Sequence, residues 1–323
     1  MKIAFTLCSL NYMHQAITLG QSLLEHNPDY KFIIGLVDII DERVDKTKLP
    51  PYEILEVATV MKPDMLYDMT KRYNIIELNT SVKPFYFNYL FEKYNPEFVI
   101  YFDPDICIYN KLSTIESLFD KDYNLLVTPH SNSPREIGYI TDIAFIHVGI
   151  FNFGFVALKN HADSKNLVDW WQKRLYESCY INTPMGLFVD QLWMNLSVCY
   201  CDRAFILKDE GYNMAPWNLH ERKLNNDEHF IVNNKTPLTF FHFSGITDQE
   251  VFTKSKDPSL TFSNRPDLKT LFANYNKQLL INNKNYFKII ECKYTNNRLY
   301  PTIYVKKVIN KLIGKLIAVN KKL

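Results

Sequence analysis

Three stretches decide the fold: Lys2-Ile3-Ala4-Phe5-Thr6-Leu7-Cys8, residues 13–24 (MHQAITLGQSLL), and Phe32-Ile33-Ile34-Gly35-Leu36-Val37 followed by Asp38. The first is rich in β-formers. In the second, Met13, Ala16, Ile17, Gly20, Leu23 and Leu24 recur at helical spacing, and Asn27-Pro28 predicts where that helix stops. The third is almost continuously apolar, which suits a strand covered on both faces. Strand, helix, strand with short connections is a βαβ unit and implies a parallel sheet.

The pattern extends outward. A strand is predicted over Ile54 to Val60, and a helix over 76–94, interrupted near its start by Lys83-Pro84. Phe98-Val99-Ile100-Tyr101-Phe102 is a compact strand. Asn124 to Thr128 and Val148 to Leu158 read as strands, 129–145 as a polar loop, and 164–178 and 188–198 as helices. Residues 209–222 are irregular and aromatic, and Leu238 to His242 is a last strand. From about 270 Asn and Lys become frequent and the alternation fades. The expected class is α/β, with a mostly parallel central sheet and a helical C-terminal extension.

A chain of 323 residues suits one large domain or two intimate ones. With 47% apolar and 22% charged residues it is an ordinary globular chain rather than a disordered one. Neither a GxGxxG nor a GxxxxGK[ST] run occurs, so the usual dinucleotide and P-loop fingerprints are absent. No apolar run reaches the roughly 18 residues of a transmembrane helix. The first residues run straight into a strand, without the apolar stretch and cleavage site of a secretory signal. Cysteines at 8, 107, 179, 199, 201 and 292 form no CxxC pair, and are expected to be reduced thiols in a cytosolic protein.

The net charge of +2 hides an asymmetry. Lys306, Lys307, Lys311, Lys315, Lys321 and Lys322 leave the preceding residues with 31 of the 37 basic groups against all 35 acidic ones, a net of −4. A mildly acidic body does not suit nucleic acid, which calls for a basic surface on the folded domain. Between 304 and 319, Val305, Val308, Ile309, Leu312, Ile313, Leu316 and Ile317 share one helical stripe, with lysines mainly opposite. Such a helix either lies in a membrane interface or docks on the body by its apolar stripe.

The sharpest chemical signal is Asp103-Pro104-Asp105, just past the strand 98–102. In open α/β sheets ligands bind beyond the carboxyl ends of strands. Two carboxylates so placed can hold a hard divalent cation, which recruits phosphates and neutralises charge on a leaving diphosphate. The alternative is a pair of turn aspartates. His242 in Phe240-Phe241-His242-Phe243-Ser244-Gly245 ends a predicted strand and is the best further ligand; otherwise it is a core histidine. Its Ser-Gly pair would let backbone approach a phosphate. Asp190-Gln191 begins a helix as a cap or faces a reacting group. Asn152 and Gly154 in Phe151-Asn152-Phe153-Gly154-Phe155 suggest a close backbone approach. The aromatic, amide-rich loop 211–218 suits carbohydrate or ordinary packing.

Several stretches together resemble bacterial glycosyltransferases of the GT-A fold, close to the family 8-like sugar-nucleotide transferases of surface polysaccharide and lipopolysaccharide synthesis. They are residues 77–85 (ELNTSVKPF), Tyr101-Phe102-Asp103-Pro104-Asp105, Thr128-Pro129-His130, residues 152–158 (NFGFVAL), Trp170-Trp171, Phe188-Val189-Asp190-Gln191, residues 211–219 (GYNMAPWNL), and Phe241-His242-Phe243-Ser244-Gly245. They run in order over roughly residues 1–270.

The resemblance implies a Rossmann-like nucleotide-sugar half (1–128) fused to an acceptor half (129–270), with 271–323 as a basic extension. It implies a nucleotide-diphosphate sugar donor, expected to be UDP-linked, and Mn²⁺ or Mg²⁺ held by Asp103, Asp105 and His242. Thr6, Cys8, Asp38, Lys83, Asp103 and Gly245 take donor-binding positions. Asp190 and Gln191 face the donor's anomeric carbon, with a retaining outcome expected; Asp190 as the base of an inverting mechanism stays open. His130, Asn152, Asn213 and Trp217 are expected on the acceptor side, with a glycan or lipid-linked acceptor. The expected location is cytoplasmic, peripheral on the inner face of the cytoplasmic membrane through the basic helix. Family 8 enzymes usually carry a lysine soon after the His-x-x-Gly segment; the nearest here is Lys254. A sugar nucleotidyltransferase is the first alternative, but Leu7-Cys8-Ser9-Leu10-Asn11 is neither Gly-rich nor basic. A non-catalytic carbohydrate-binding relative is the second.

Overall fold

The strands expected near the amino terminus lie side by side in a seven-stranded sheet. The computed structural model describes residues 1–135, 141–226, 229–245 and 260–294. β1 (Lys2–Cys8), β2 (Tyr30–Leu36) and β3 (Glu53–Glu56) run parallel, and β4 (Phe98–Phe102) pairs in parallel with the other edge of β1. After β5 (Ile106–Ile108) and β6 (Leu125–Pro129), β7 (Phe151–Lys159) inserts antiparallel between β4 and β6. A short strand, Ala204–Ile206, closes the far edge alongside β6.

Alternation along β1 fills two cores. Ile3, Phe5 and Leu7 enter one, and Ala4 and Cys8 the other. α1 (Met13–His26) supplies Met13, Ala16, Ile17, Leu19 and Leu23 to the second face. The helices Lys83–Tyr94 and Ala162–Ser178 cover the first, with Phe87, Leu90, Trp171 and Leu175 buried between them. Covered on both faces, the central strands read as apolar runs rather than alternating ones.

Five local expectations are revised. The strand expected over Ile54 to Val60 ends at Glu56, and Val57–Val60 is a helical turn, since β-branched residues favour a strand only where a neighbour pairs with it. A helix at Pro63–Arg72 follows; its signals, Pro63 and Asp64 in the first turn and Lys71 and Arg72 in the last, were in the sequence. Lys83-Pro84 starts a new helix rather than interrupting one, because proline fits the first turn. The loop expected over 129–145 gives way to a helix at Asp142–Val148, which Gly149 at φ 124° ends, so β7 starts at Phe151 rather than Val148. The helix over 188–198 is two single turns, Gln191–Met194 and Ser197–Tyr200.

Beyond 268, the helix Lys269–Ile281 packs on α1 and buries Leu271, Phe272, Tyr275 and Leu279. The basic amphipathic stretch from 302 onward lies outside the described residues. No helix among the described residues is long and apolar enough to cross a membrane.

Candidate active site

β4 delivers Asp103 to the carboxyl edge of the sheet. There the chain turns at once into β5, with Ile106 N donating to Asp103 O at 3.1 Å. β5 pairs antiparallel with Phe240–His242, His242 standing opposite Ile106. Phe243 N donates to Asp105 O at 2.8 Å, and His242 N donates to Met214 O at 2.8 Å. This small ladder brings a distant histidine onto the two aspartates. His242 Nε2 lies 3.0 Å from Asp105 Oδ1 and 3.7 Å from Asp103 Oδ2.

Asp103, Asp105 and His242 each offer a ligand atom, all within 4.8 Å of one another. The imidazole is buried, and its Nδ1 has no hydrogen-bond partner among the described residues. Burial opposes a charge on His242, but the Asp105 and Asp103 carboxylates outweigh it and hold its pKa above the ordinary value. Two hard oxygen donors and an imidazole, converging with the acids still partly exposed, fit a divalent cation.

The neighbouring polar groups form a second layer. Tyr101 Oη donates to Asp103 Oδ1 at 2.5 Å. Lys83 Nζ sits 4.2 Å from the Tyr101 ring centroid. It donates to Asp190 Oδ2 at 2.6 Å and to Phe153 O at 2.7 Å, and this pair is buried. Asp190 holds the N-cap position of its helical turn yet makes no side-chain cap bond; its carboxylate turns to Lys83 instead. Burial raises the Asp190 pKa, with Lys83 opposing and Asp103 adding to the rise.

Gln191 is held on three sides. Its Oε1 accepts from Asn152 Nδ2 at 3.1 Å and Phe153 N at 3.2 Å, and its Nε2 donates to Val148 O at 3.1 Å. Asn152 Oδ1 accepts from Gly154 N and Asn213 Nδ2, both at 3.1 Å, and Asn213 Nδ2 also donates to Thr128 Oγ1 at 2.8 Å. Asn152 Nδ2 is 3.3 Å from His130 Nε2. His130, Asn152 and Asn213 are therefore buried, and they brace the floor of the site. Trp217 is half-buried and stands edge-on to His242, with centroids 5.0 Å apart, and to His130 at 5.4 Å. Its indole N–H has no partner among the described residues.

Thus Asp103, Asp105, His242, Lys83, Asp190, Gln191, Asn152, Asn213, His130 and Trp217 converge. Gly245 sits in an exposed turn at φ 66°, just beyond the ladder. Thr6, Cys8 and Asp38 are buried towards the carboxyl ends of β1 and β2. Lys83 is buried too, facing Asp190 rather than solvent.

Three features near these residues were not singled out from the sequence. Tyr101 precedes the first aspartate by two residues and so shares its face of the strand, a signal available from alternation. Tyr12, in the turn after β1, is half exposed; burial and the Asp105 charge raise its pKa, which places the phenol near the carboxylates. The segment 286–294 packs over Asp38, and nothing local in its sequence marks it.

No protein-family model matches the chain. The uncharacterized proteins YfnD and YfnF of Bacillus subtilis are similar to it: YfnD is 24% identical over 75% of this chain and 77% of its own length, and YfnF 25% over 74% and 80%. The chain also superposes on the galactosyltransferase LgtC, solved with donor and acceptor sugar analogues. The TM-score is 0.52 at 13% identity, covering 87% of this chain and 96% of that one. The architecture is that of the GT-A fold, as the order of motifs implied.

Proposed function

We propose that this protein is a metal-dependent glycosyltransferase. It would move a sugar from a nucleotide-diphosphate donor, taken as UDP-linked, to a glycan or lipid-linked acceptor in bacterial surface polysaccharide synthesis. One observation carries the reading: Asp103, Asp105 and His242 converge at the carboxyl edge of the sheet, with the Lys83–Asp190 pair directly behind them. Ligands of open α/β sheets bind at that edge.

Asp103, Asp105 and His242 would hold Mn²⁺ or Mg²⁺, which when bound supplies positive charge to a diphosphate leaving group. The chain's own residues do the positioning. Tyr101 fixes one oxygen of Asp103. Lys83 fixes Asp190 and the β7 backbone at Phe153. Gln191 is locked by three hydrogen bonds next to Asp190, so its amide holds one orientation. As the bond from the anomeric carbon to the diphosphate oxygen breaks, the oxygen of an acceptor hydroxyl bonds to that carbon and its proton passes to the departing diphosphate. Asp190 and Gln191 would face that carbon and favour its developing charge. Trp217, with its ring edge on His242 and an unused N–H, offers an apolar face and a donor to a sugar. Holding the reactants in this frame is the main contribution of the protein.

The test is binding and slow hydrolysis of a panel of UDP-, GDP-, ADP- and CDP-sugars, first with Mn²⁺ and then with a chelator. Manganese-dependent recognition of one donor is expected. Absence of binding under both conditions would overturn the reading.

A further inference from the structure

Asp38 follows β2, at a position the resemblance gives to donor binding, where a ribose or base contact would fall. Its carboxylate is already in use. Oδ1 accepts from Ile39 N at 2.9 Å, Arg43 Nη2 at 3.0 Å and Lys293 N at 3.1 Å, and Oδ2 accepts from Leu10 N at 3.3 Å. It is fully buried. Four donors compensate a buried carboxylate, and a ribose hydroxyl has no access to it while those donors stay in place.

Two of the donors come from far apart. Leu10 opens the turn that carries the half-exposed Tyr12, and Lys293 belongs to the stretch after the last helix. That stretch is anchored along its length. Tyr286 Oη accepts from Asp45 N at 2.6 Å, and Arg43 Nη1 donates to Glu291 O. Cys292 Sγ donates to Val37 O at 3.6 Å. Phe287, Ile290 and Cys292 are buried; the first two enter the core that holds Cys8, Leu10, Met13, Leu36 and Val44. A segment with three buried side chains is part of the body rather than a detachable plug. A ligand at the ends of β1 and β2 therefore meets it instead of displacing it.

We propose that residues 286–294 form the outer wall of the nucleoside end of the site, and that Asp38 is the positioning residue holding this wall and the Tyr12 turn in register. This rests on the nucleotide-donor reading above. It assigns to Asp38 an indirect role in place of a ribose contact, and it gives the carboxyl-terminal segment a share in donor affinity.

Two variants of the full chain test it, Asp38→Ala and Lys293→Pro. The second removes the Lys293 N–H and leaves Asp38 intact, so it serves if the first fails to fold. Two readouts are taken: donor KM and kcat, and alkylation of individual cysteines followed by mass spectrometry. Exposed Cys199 and buried Cys107 are internal controls. In both variants Cys292 should gain reactivity by about tenfold or more while Cys107 stays protected, and Mn²⁺ with the nucleoside diphosphate should restore protection. Donor KM should rise by about tenfold, with kcat changed less than about threefold. Protected Cys292 in both variants, or loosened Cys292 with an unchanged KM, would overturn the wall. A fall in kcat at constant KM would overturn the positioning role. If the wild type bound no nucleoside diphosphate, the donor reading would fall and the wall with it, while Cys292 reactivity would still report whether Asp38 holds the segment.

Discussion

Gly154 and His242 are packed so closely that a Cβ built on the glycine would stand 2.3 Å from imidazole Cε1, and 2.8 Å from Asp103 Oδ2. The strand β7 thus reaches the candidate metal ligands with bare backbone, and Gly154 O also accepts from Asp103 N at 2.7 Å. Even the smallest side chain must push His242 or Asp103 aside. Gly154→Ala should weaken Mn²⁺ binding by tenfold or more, about 1.4 kcal/mol, while the far-UV spectrum stays unchanged. Calorimetric titration with Mn²⁺ checks this, and an unchanged affinity would show that the ligands tolerate the displacement.

Metal linkage gives a second prediction. A cation that binds only the folded state raises its stability by roughly RT ln(1 + [L]/Kd), about 2.7 kcal/mol at a hundredfold excess over Kd. Wild-type protein should melt higher in Mn²⁺ and return to baseline with chelator. Asp105→Ala should lose both the shift and sugar transfer while keeping its far-UV spectrum, although its metal-free melting temperature falls with the loss of the His242 contact. Retained transfer by this variant would sink the metal assignment.

The buried Lys83–Asp190 pair supports a third. Removing one partner leaves the other charge buried without compensation, at a cost of about 3–5 kcal/mol, whereas an apolar pair of similar volume is often close to neutral. Lys83→Met alone and Asp190→Leu alone should each be strongly destabilised in urea melts. The double variant should recover most of the stability and none of the activity. Equal losses in all three would mean that Lys83 matters through Phe153 O and Tyr101 rather than through Asp190.

A fourth concerns pH. Burial lowers the pKa of His14 from 6.5 to about 4, with Lys284 and Lys288 adding to the effect, and burial does the same for His130, with His242 adding. In each case the unfolded chain takes up a proton below pH 6.5 and the folded protein does not until about pH 4. Folding stability should therefore be lost as pH falls through that window, by about 3 kcal/mol for each histidine. His14→Gln should flatten the profile of unfolding free energy against pH by about one proton's slope. A variant profile parallel to the wild type's would show that His14 is not held neutral.

Much of this frame is local and was legible in the chain. Lys2–Cys8 and Tyr30–Leu36 are strands because they bury both faces, and apolar runs of strand length announce that. Asp103 and Asp105 sit just past a strand end for the same local reason, and Gly154 lies inside the strand Phe151-Asn152-Phe153-Gly154-Phe155, whose composition suggested its close approach. At Val57–Val60 and Gln191–Met194 the elements are single turns, and a single turn is too short to show a period.

The partners across the chain are a different matter. Lys83 and Asp190 meet 107 residues apart, and Lys293 reaches Asp38 over 255. Read alone, Asp190 was a helix cap or a residue facing a reacting group, and only the resemblance gave Asp38 a donor-binding position. The register of β5 against Phe240–His242 puts His242 on the aspartates, and a shift of one residue would turn its side chain to the other face. Periodicity, turns and charge spacing determined which residues stand at strand ends. Only the topology decided which of those ends meet, because such pairings depend on strand order and register, and burial patterns within one segment carry no record of either.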